Sequence, residues 1–163
     1  MHTGNVVVAW MNAMQDRLRA EMRHLGVESR DLAALTLVAA YPGCTQDWLR
    51  PRIELTQSGT VRLVDRLAAR GLLIRGPSAG RGVPLRLTAA GDGLLRRWAA
   101  RRDAAIEDTL AGLPDGVRDG LLGGMAESLR SRPRERAHAD AACRVCTWPA
   151  CGSDCPVDRS VTP

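Results

Sequence analysis

A mainly α-helical fold with one small β-hairpin is what this sequence predicts, and three observations carry that reading. Apolar residues recur at three- and four-residue steps between Val7 and Val38 and again after Thr88, the period of a half-buried helix. A Gly-rich stretch, GPSAGRGV at residues 76–83, separates two short apolar runs, as a hairpin loop does. Hydrophobic residues make up 45% of the chain but aromatics only 3%, with no Phe, so the core must be built from Leu, Val and Ala, which suit helices. At 163 residues the chain reads as one domain, able to bury roughly two-thirds of its unfolded surface without covalent help.

The elements follow in order. Val7, Trp10, Met11, Met14, Leu18, Met22 and Leu25 share one face of a first helix that Gly26 closes. Ser29 is the expected cap of a second helix through Leu32, Leu35 and Val38, which stops before Tyr41-Pro42-Gly43. Thr45 or Asp47 opens a short third segment with Trp48 and Leu49, and Pro51 follows closely. In LTQSGTVRLVDRLAARGLL, residues 55–73, Thr56 caps a helix expected to bury Val61, Val64, Leu67 and Ala68 and to expose Ser58, Thr60, Arg62, Asp65 and Arg66. Gly71 ends it, and residues 72–75 and 84–87 are the strand-like runs of the hairpin. Thr88 caps a long helix with Leu94, Leu95, Trp98, Ala105, Ile106 and Leu110 on its apolar side. A last helix follows Pro114 with Val117, Leu121, Leu122, Met125 and Leu129, and after Pro133 the chain turns polar.

The net charge of +5 is unevenly spread. Residues 50–102 hold twelve Arg against Glu54, Asp65 and Asp92, while the segments on either side are mildly acidic. A basic centre of this kind points to a localised anionic partner, nucleic acid first. All 23 basic residues are Arg, which we read as coding bias rather than function. No apolar run approaches the roughly 18 residues of a membrane span, and the N-terminus lacks a basic region followed by an apolar core, so a cytoplasmic protein with no membrane segment is expected. No Ser/His/Asp grouping, phosphate loop or HExxH occurs, and His2, His24 and His138 are scattered, so no enzyme is expected.

Helix, helix, turn, helix, hairpin is the order of a winged helix-turn-helix. A helix that is small and polar at its start and basic further on fits a major groove, and an Arg-tipped hairpin reaches the neighbouring minor groove. The phrases LTQSGTVRLVDRLAARGLLIR and PLRLTAAGDGLL, residues 55–75 and 84–95, resemble the recognition helix and wing of the MarR family of bacterial transcriptional regulators. The resemblance implies a homodimer, with the first helix and the last two forming the interface, and a roughly palindromic site on double-stranded DNA. It implies that Ser58, Thr60, Arg62 and Arg66 face DNA, that Arg75 follows the first wing strand, and that Arg81 is the wing-tip arginine. Asp65 matches an acidic position that steadies the wing arginine in the family. Ala79-Gly80 stand where an acidic residue usually precedes the wing arginines, so the wing is shorter here.

The tail, CRVCTWPACGSDC, crowds Cys143, Cys146, Cys151 and Cys155 into thirteen residues, with Cys44 the only other cysteine. An iron–sulfur cluster needs four converging thiolates on a flexible loop, and Cys151-Gly-Ser-Asp-Cys155-Pro156 repeats the C-x3-C-P close of bacterial cluster motifs. Structural Zn2+ takes four cysteines too, though more often as two CxxC knuckles across a longer loop. A metal-free thiol–disulfide switch is a third reading, with Arg144 beside Cys143. Cys44 reads as a small buried residue and His138 as a solvated linker histidine.

The expected organisation is therefore an N-terminal dimerisation helix (1–28), a winged helix-turn-helix domain (29–90), C-terminal dimerisation helices (91–135) and a cysteine-rich tail (136–163). The expected function is a dimeric DNA-binding regulator, taken as a repressor, that senses redox or iron–sulfur status through a cluster held by the tail. The alternative is a regulator gated by a small organic ligand, with the tail a structural zinc or thiol-switch unit.

Overall fold

A computed structural model describes residues 2–77 and 82–162. Six helices and one hairpin form the body: α1 (Thr3–His24), α2 (Ser29–Ala40), α3 (Gln46–Arg52), α4 (Gln57–Ala69), β1 (Leu73–Arg75), β2 (Leu85–Leu87), α5 (Ala89–Leu110) and α6 (Asp115–Arg130). The two strands pair antiparallel, Leu73 opposite Leu87 and Arg75 opposite Leu85. This is the winged helix-turn-helix that the element order predicts, mainly α with a two-stranded wing.

The local stops and starts have the expected chemistry. Thr45, Thr56 and Thr88 each accept a hydrogen bond from the backbone N–H three residues on, satisfying a donor that the first helical turn leaves unpaired. Gly26 and Gly71 end α1 and α4 in the left-handed region, at φ 65° and 67°. At α2 the cap is Glu28 rather than Ser29, because Glu28 and Asp31 form a reciprocal capping box.

The core is centred on α2, where every residue from Asp31 to Val38 is buried. Leu49, Leu63, Val64, Leu67, Leu73, Leu85, Leu94 and Trp98 close around it. Buried Asp31 is met by Arg66 at 2.5 Å and Arg70 at 3.7 Å, which ties α2 to α4. The wing is seated by Thr88, whose hydroxyl donates to the Gly71 carbonyl at 2.6 Å. Gly91 lets α5 approach there: a Cβ at that position would lie 2.0 Å from the Leu72 carbonyl oxygen.

Two helices are incompletely used. On α1, Val6, Val7, Val8, Trp10 and Met11 are exposed, and on α6, Val117, Leu122 and Leu129 are exposed with no residue of that helix buried.

The tail departs from the expected flexible loop. Residues read as a polar linker form a helix, α7 (Arg136–Ala142), because an Ala-rich stretch after Glu135 has high helix propensity. A single turn, α8 (Trp148–Cys151), and two 3-10 turns, Gly152–Asp154 and Asp158–Ser160, follow. Ala139, Cys143 and Val157 form a small second core, with Cys146, Trp148, Cys155 and Val161 packed against it. The end of the chain is held by a bridge between Arg134 and Val161, with Thr162 N–H donating to the Arg134 carbonyl at 3.0 Å.

Candidate functional site

The first candidate surface is the outer face of α4. Thr56 caps the helix through Gly59 N–H, and Ser58 stands exposed beside it. Thr60 does not face outward. It is 1% exposed, and its hydroxyl donates to the Thr56 carbonyl at 3.0 Å, the back-bonding that lets a helical threonine enter an apolar core. The buried stripe is therefore Thr60, Leu63, Val64 and Leu67, and Val61 is turned outward. The register differs from the expected one because Val61 is apolar and Thr60 polar, yet geometry buries the threonine. The outward row becomes Gln57, Ser58, Val61, Arg62, Asp65 and Arg66. Among the described residues Arg62 makes no ion pair, whereas Arg66 is engaged by Asp31.

The expected row omits Gln57 and Val61. An amide of this type can read adenine in a bidentate way and an apolar side chain can meet a thymine methyl. Arg50 of α3 borders the same recess of about 220 Å3 as Gln57, Val61 and Val83. No local signal finds this row, because the Thr56 cap fixes where the helix starts and not which of its faces is buried.

At the wing, Arg75 of β1 donates to Asp65 at 2.5 Å, so the acidic residue of α4 holds the first strand. Asp65 makes no ion pair with Arg62 or Arg66. Arg86 lies opposite Ile74 on β2 and is exposed. Arg81 lies outside the described residues.

The second candidate is the thiol centre. Cys143, Cys146, Cys151 and Cys155 line a single recess of about 150 Å3, with Trp148, Arg136 and Asp158 at its walls. Cys143 donates to Cys146 and neighbours Cys155, and Cys151 neighbours Cys155. The donated hydrogen bond, helped by the nearby Arg102 cation, brings the Cys146 thiol down to about 7 against the cost of burial. The same bond pushes Cys143 far up, with burial adding to it, so Cys143 is the proton holder of the pair. Burial raises Cys44 to about 11, consistent with a packing role. Among the described residues no set of three or more His, Cys, Asp or Glu side chains stands at metal-holding geometry. The donor chemistry nevertheless fits a thiolate-ligated group: four soft sulfur donors share one recess, and one of them ionises readily.

The tail is fastened to the winged domain by one buried carboxylate. Asp140 of α7, fully buried, accepts from the Tyr41 hydroxyl at 2.9 Å, from Arg52 Nε at 2.8 Å and from Arg136 Nε at 2.9 Å. Tyr41 sits at the end of α2, and Arg52 belongs to α3, the helix that supports α4. Arg52 also stacks 3.7 Å over the Trp48 ring, and Tyr41 meets Trp148 edge-on at 5.4 Å. On the other side, Trp98 of α5 donates to the Val145 carbonyl at 3.0 Å. The tail does touch α5, but its buried anchor is the winged domain.

Residues 25–82 match the model of the MarR family. No curated protein matches the chain. Several solved structures share the fold. A MarR-family transcriptional regulator from Rhodococcus sp. RHA1 is 24% identical with a TM-score of 0.61, over 77% of this chain and 91% of its own. YusO from Bacillus subtilis is 21% identical with a TM-score of 0.71, over 79% and 93%. A mutant of S. aureus MepR bound to an oligodeoxyribonucleotide is 16% identical with a TM-score of 0.64, over 80% and 98%.

Proposed function

We propose that this chain is a dimeric DNA-binding transcriptional regulator of the MarR type, acting as a repressor, whose tail holds a thiolate-ligated iron–sulfur cluster. The observation that carries the DNA half is the exposed, basic outer face of α4 beside a wing strand that Asp65 holds through Arg75. A helix so presented enters a major groove with Gln57, Ser58, Val61 and Arg62 toward base edges and phosphates. That a fold neighbour is bound to an oligodeoxyribonucleotide supports this reading. The exposed apolar rows of α1 and α6 support a homodimer, since a monomer would leave them in water.

The convergence of Cys143, Cys146, Cys151 and Cys155 on one recess carries the sensing half. These four residues would hold the group, and a bound cluster supplies a centre whose charge or integrity changes with oxidant. The C-x3-C-P close at residues 151–156 favours iron–sulfur over Zn2+. The chain's own residues carry the signal onward. A shift of α7 moves Asp140, and Asp140 bears on Tyr41 and Arg52 beneath the recognition helix. Coupling of about 1–3 kcal/mol suffices for a roughly 5–150-fold change in DNA affinity.

The test is anaerobic purification with a visible spectrum and iron, sulfide and zinc analysis. The expected protein is brown, with broad visible absorption that is lost in Cys146→Ala. Colourless protein with about one zinc per chain would make the tail a closed structural site. Colourless, metal-free protein would leave only thiol oxidation.

A further inference from the structure

Three arginines stand close to the thiol centre, and two of them have their charge matched elsewhere. Arg136, on the wall of the recess, is held by the carboxylates of Asp140 at 2.9 Å and Asp158 at 2.6 Å. Arg144 is part-exposed and turned to Glu54 at 3.9 Å and to the Ala141 carbonyl. Arg102 of α5 is different. Its side chain is 16% exposed, and among the described residues its one carboxylate partner is its chain neighbour Asp103, at 2.7 Å. Asp103 is itself exposed. A solvated neighbour offsets a desolvated cation poorly, which leaves the guanidinium short of counter-charge on its inner side.

That inner side is the thiol centre. Arg102 Nη1 donates to the Val145 carbonyl at 3.4 Å, and Trp98, one turn earlier on α5, donates to the same oxygen at 3.0 Å. The N–H of that same peptide belongs to Cys146 and donates to the Cys143 carbonyl at 2.9 Å. The peptide that carries Cys146 is thus fixed at both of its polar ends, by α5 and by the CxxC turn. The Arg102 charge also favours the ionised forms of Cys146 and Cys151. In the sequence Arg102 belongs to the basic middle of the chain, yet in the fold it is turned to the tail.

Four thiolates around one divalent ion leave a net dianion, and four thiolates on an iron–sulfur cluster also leave an anionic group. Burying such a group without a counter-charge is costly. We propose that Arg102 is a positioning residue of the thiol centre, supplying the mostly buried positive charge that a four-thiolate group needs and tying that group to α5. The proposal rests on the reading of the tail as a thiolate-ligated site.

The test is an anaerobic Co2+ titration of the reduced, metal-free full-length chain, read by thiolate-to-metal charge transfer and the visible ligand-field bands. Zn2+ affinity is then taken by displacement of Co2+. The expected result in the wild type is about one Co2+ per chain with the bands of tetrahedral four-thiolate coordination. Arg102→Gln should show the same bands, with the Kd for Co2+ and for Zn2+ raised at least about tenfold. Arg102→Lys, which keeps the charge, should recover most of that loss. Arg97→Gln, at an exposed arginine of the same helix, should match the wild type. Equal Kd in the wild type and Arg102→Gln overturns the proposal. So do altered bands in Arg102→Gln, or binding by Arg102→Lys no tighter than by Arg102→Gln, since either makes Arg102 a packing residue. Absence of the four-thiolate bands in the wild type overturns the thiolate-ligated reading itself, and the proposal with it.

Discussion

Asp140 shows how one side chain sets the position of a whole segment. It is fully buried and satisfied by Tyr41 at the end of α2, Arg52 of α3 and Arg136 of its own helix, α7. Removing it leaves Arg52, itself mostly buried, without its counter-charge. Asp140→Ala should therefore cost about 3–5 kcal/mol of stability, measured by urea unfolding, and should free the tail for proteolysis near Cys143. Asp140 could not be recognised in the sequence, because Tyr41 and Arg52 lie 99 and 88 positions away. Cys146 is a second such residue. Its pKa falls to about 7, below the ordinary thiol value, so it is thiolate above that pH and thiol below it. In the metal-free, reduced protein, alkylation of Cys146 by iodoacetamide should rise through pH about 7 and level off by about pH 8, while Cys44 stays unreactive there. Levelling only above about pH 9 would contradict the Cys143–Cys146 pairing. On α4, Arg62→Ala should weaken DNA binding across sequences and reduce the salt slope by roughly one, as read by fluorescence anisotropy.

At the scale of elements, the backbone around α4 is constrained at two points. Glu54, in the turn between α3 and α4, adopts φ 54°, a left-handed conformation that costs a non-glycine residue roughly 1–2 kcal/mol. Its side chain is exposed, and among the described residues Arg144, at 3.9 Å, is its one charge partner. Glu54→Gly should therefore raise stability by roughly 0.5–1 kcal/mol, and a loss would contradict the strain. Gly91 behaves oppositely. Any Cβ there collides with the Leu72 carbonyl, so Gly91→Ala should destabilise by about 1–3 kcal/mol and shift the wing relative to α5. The helix ends were legible because caps and glycines are local signals: Thr45, Thr56, Thr88, Gly26 and Gly71 all act where the sequence places them. The phase of α4 was not legible from hydrophobicity. A threonine that bonds its own helix carbonyl buries as readily as a valine, and only tertiary packing chose between Thr60 and Val61. Helix α7 was hidden for a related reason, since its apolar content is mostly alanine and its partner surface lies on α3.

Across the whole molecule, the winged domain sits between two regions with distinct tasks. Helices α1 and α6 expose Trp10, Met11, Val117 and Leu122, apolar area that a partner subunit would cover. Trp10→Glu combined with Leu122→Arg should yield a monomer by analytical ultracentrifugation and lose high-affinity DNA binding, with the fold intact. On the other side, the tail joins the thiol recess to α3, the helix that supports α4, through Asp140. The four-cysteine spacing was plain in the sequence, but what the thiols lean on was not, because that depends on side chains gathered from α2, α3 and α5. The central claim is that the state of the thiol centre sets DNA affinity. It is tested most directly by anisotropy titration of a duplex selected from a random library, using anaerobic protein as isolated and the same protein after oxidation or removal of the bound group. The expected change in Kd is at least about 5-fold and disappears in Cys146→Ala. Equal affinity in both states, with the thiol centre shown to have changed, would contradict it.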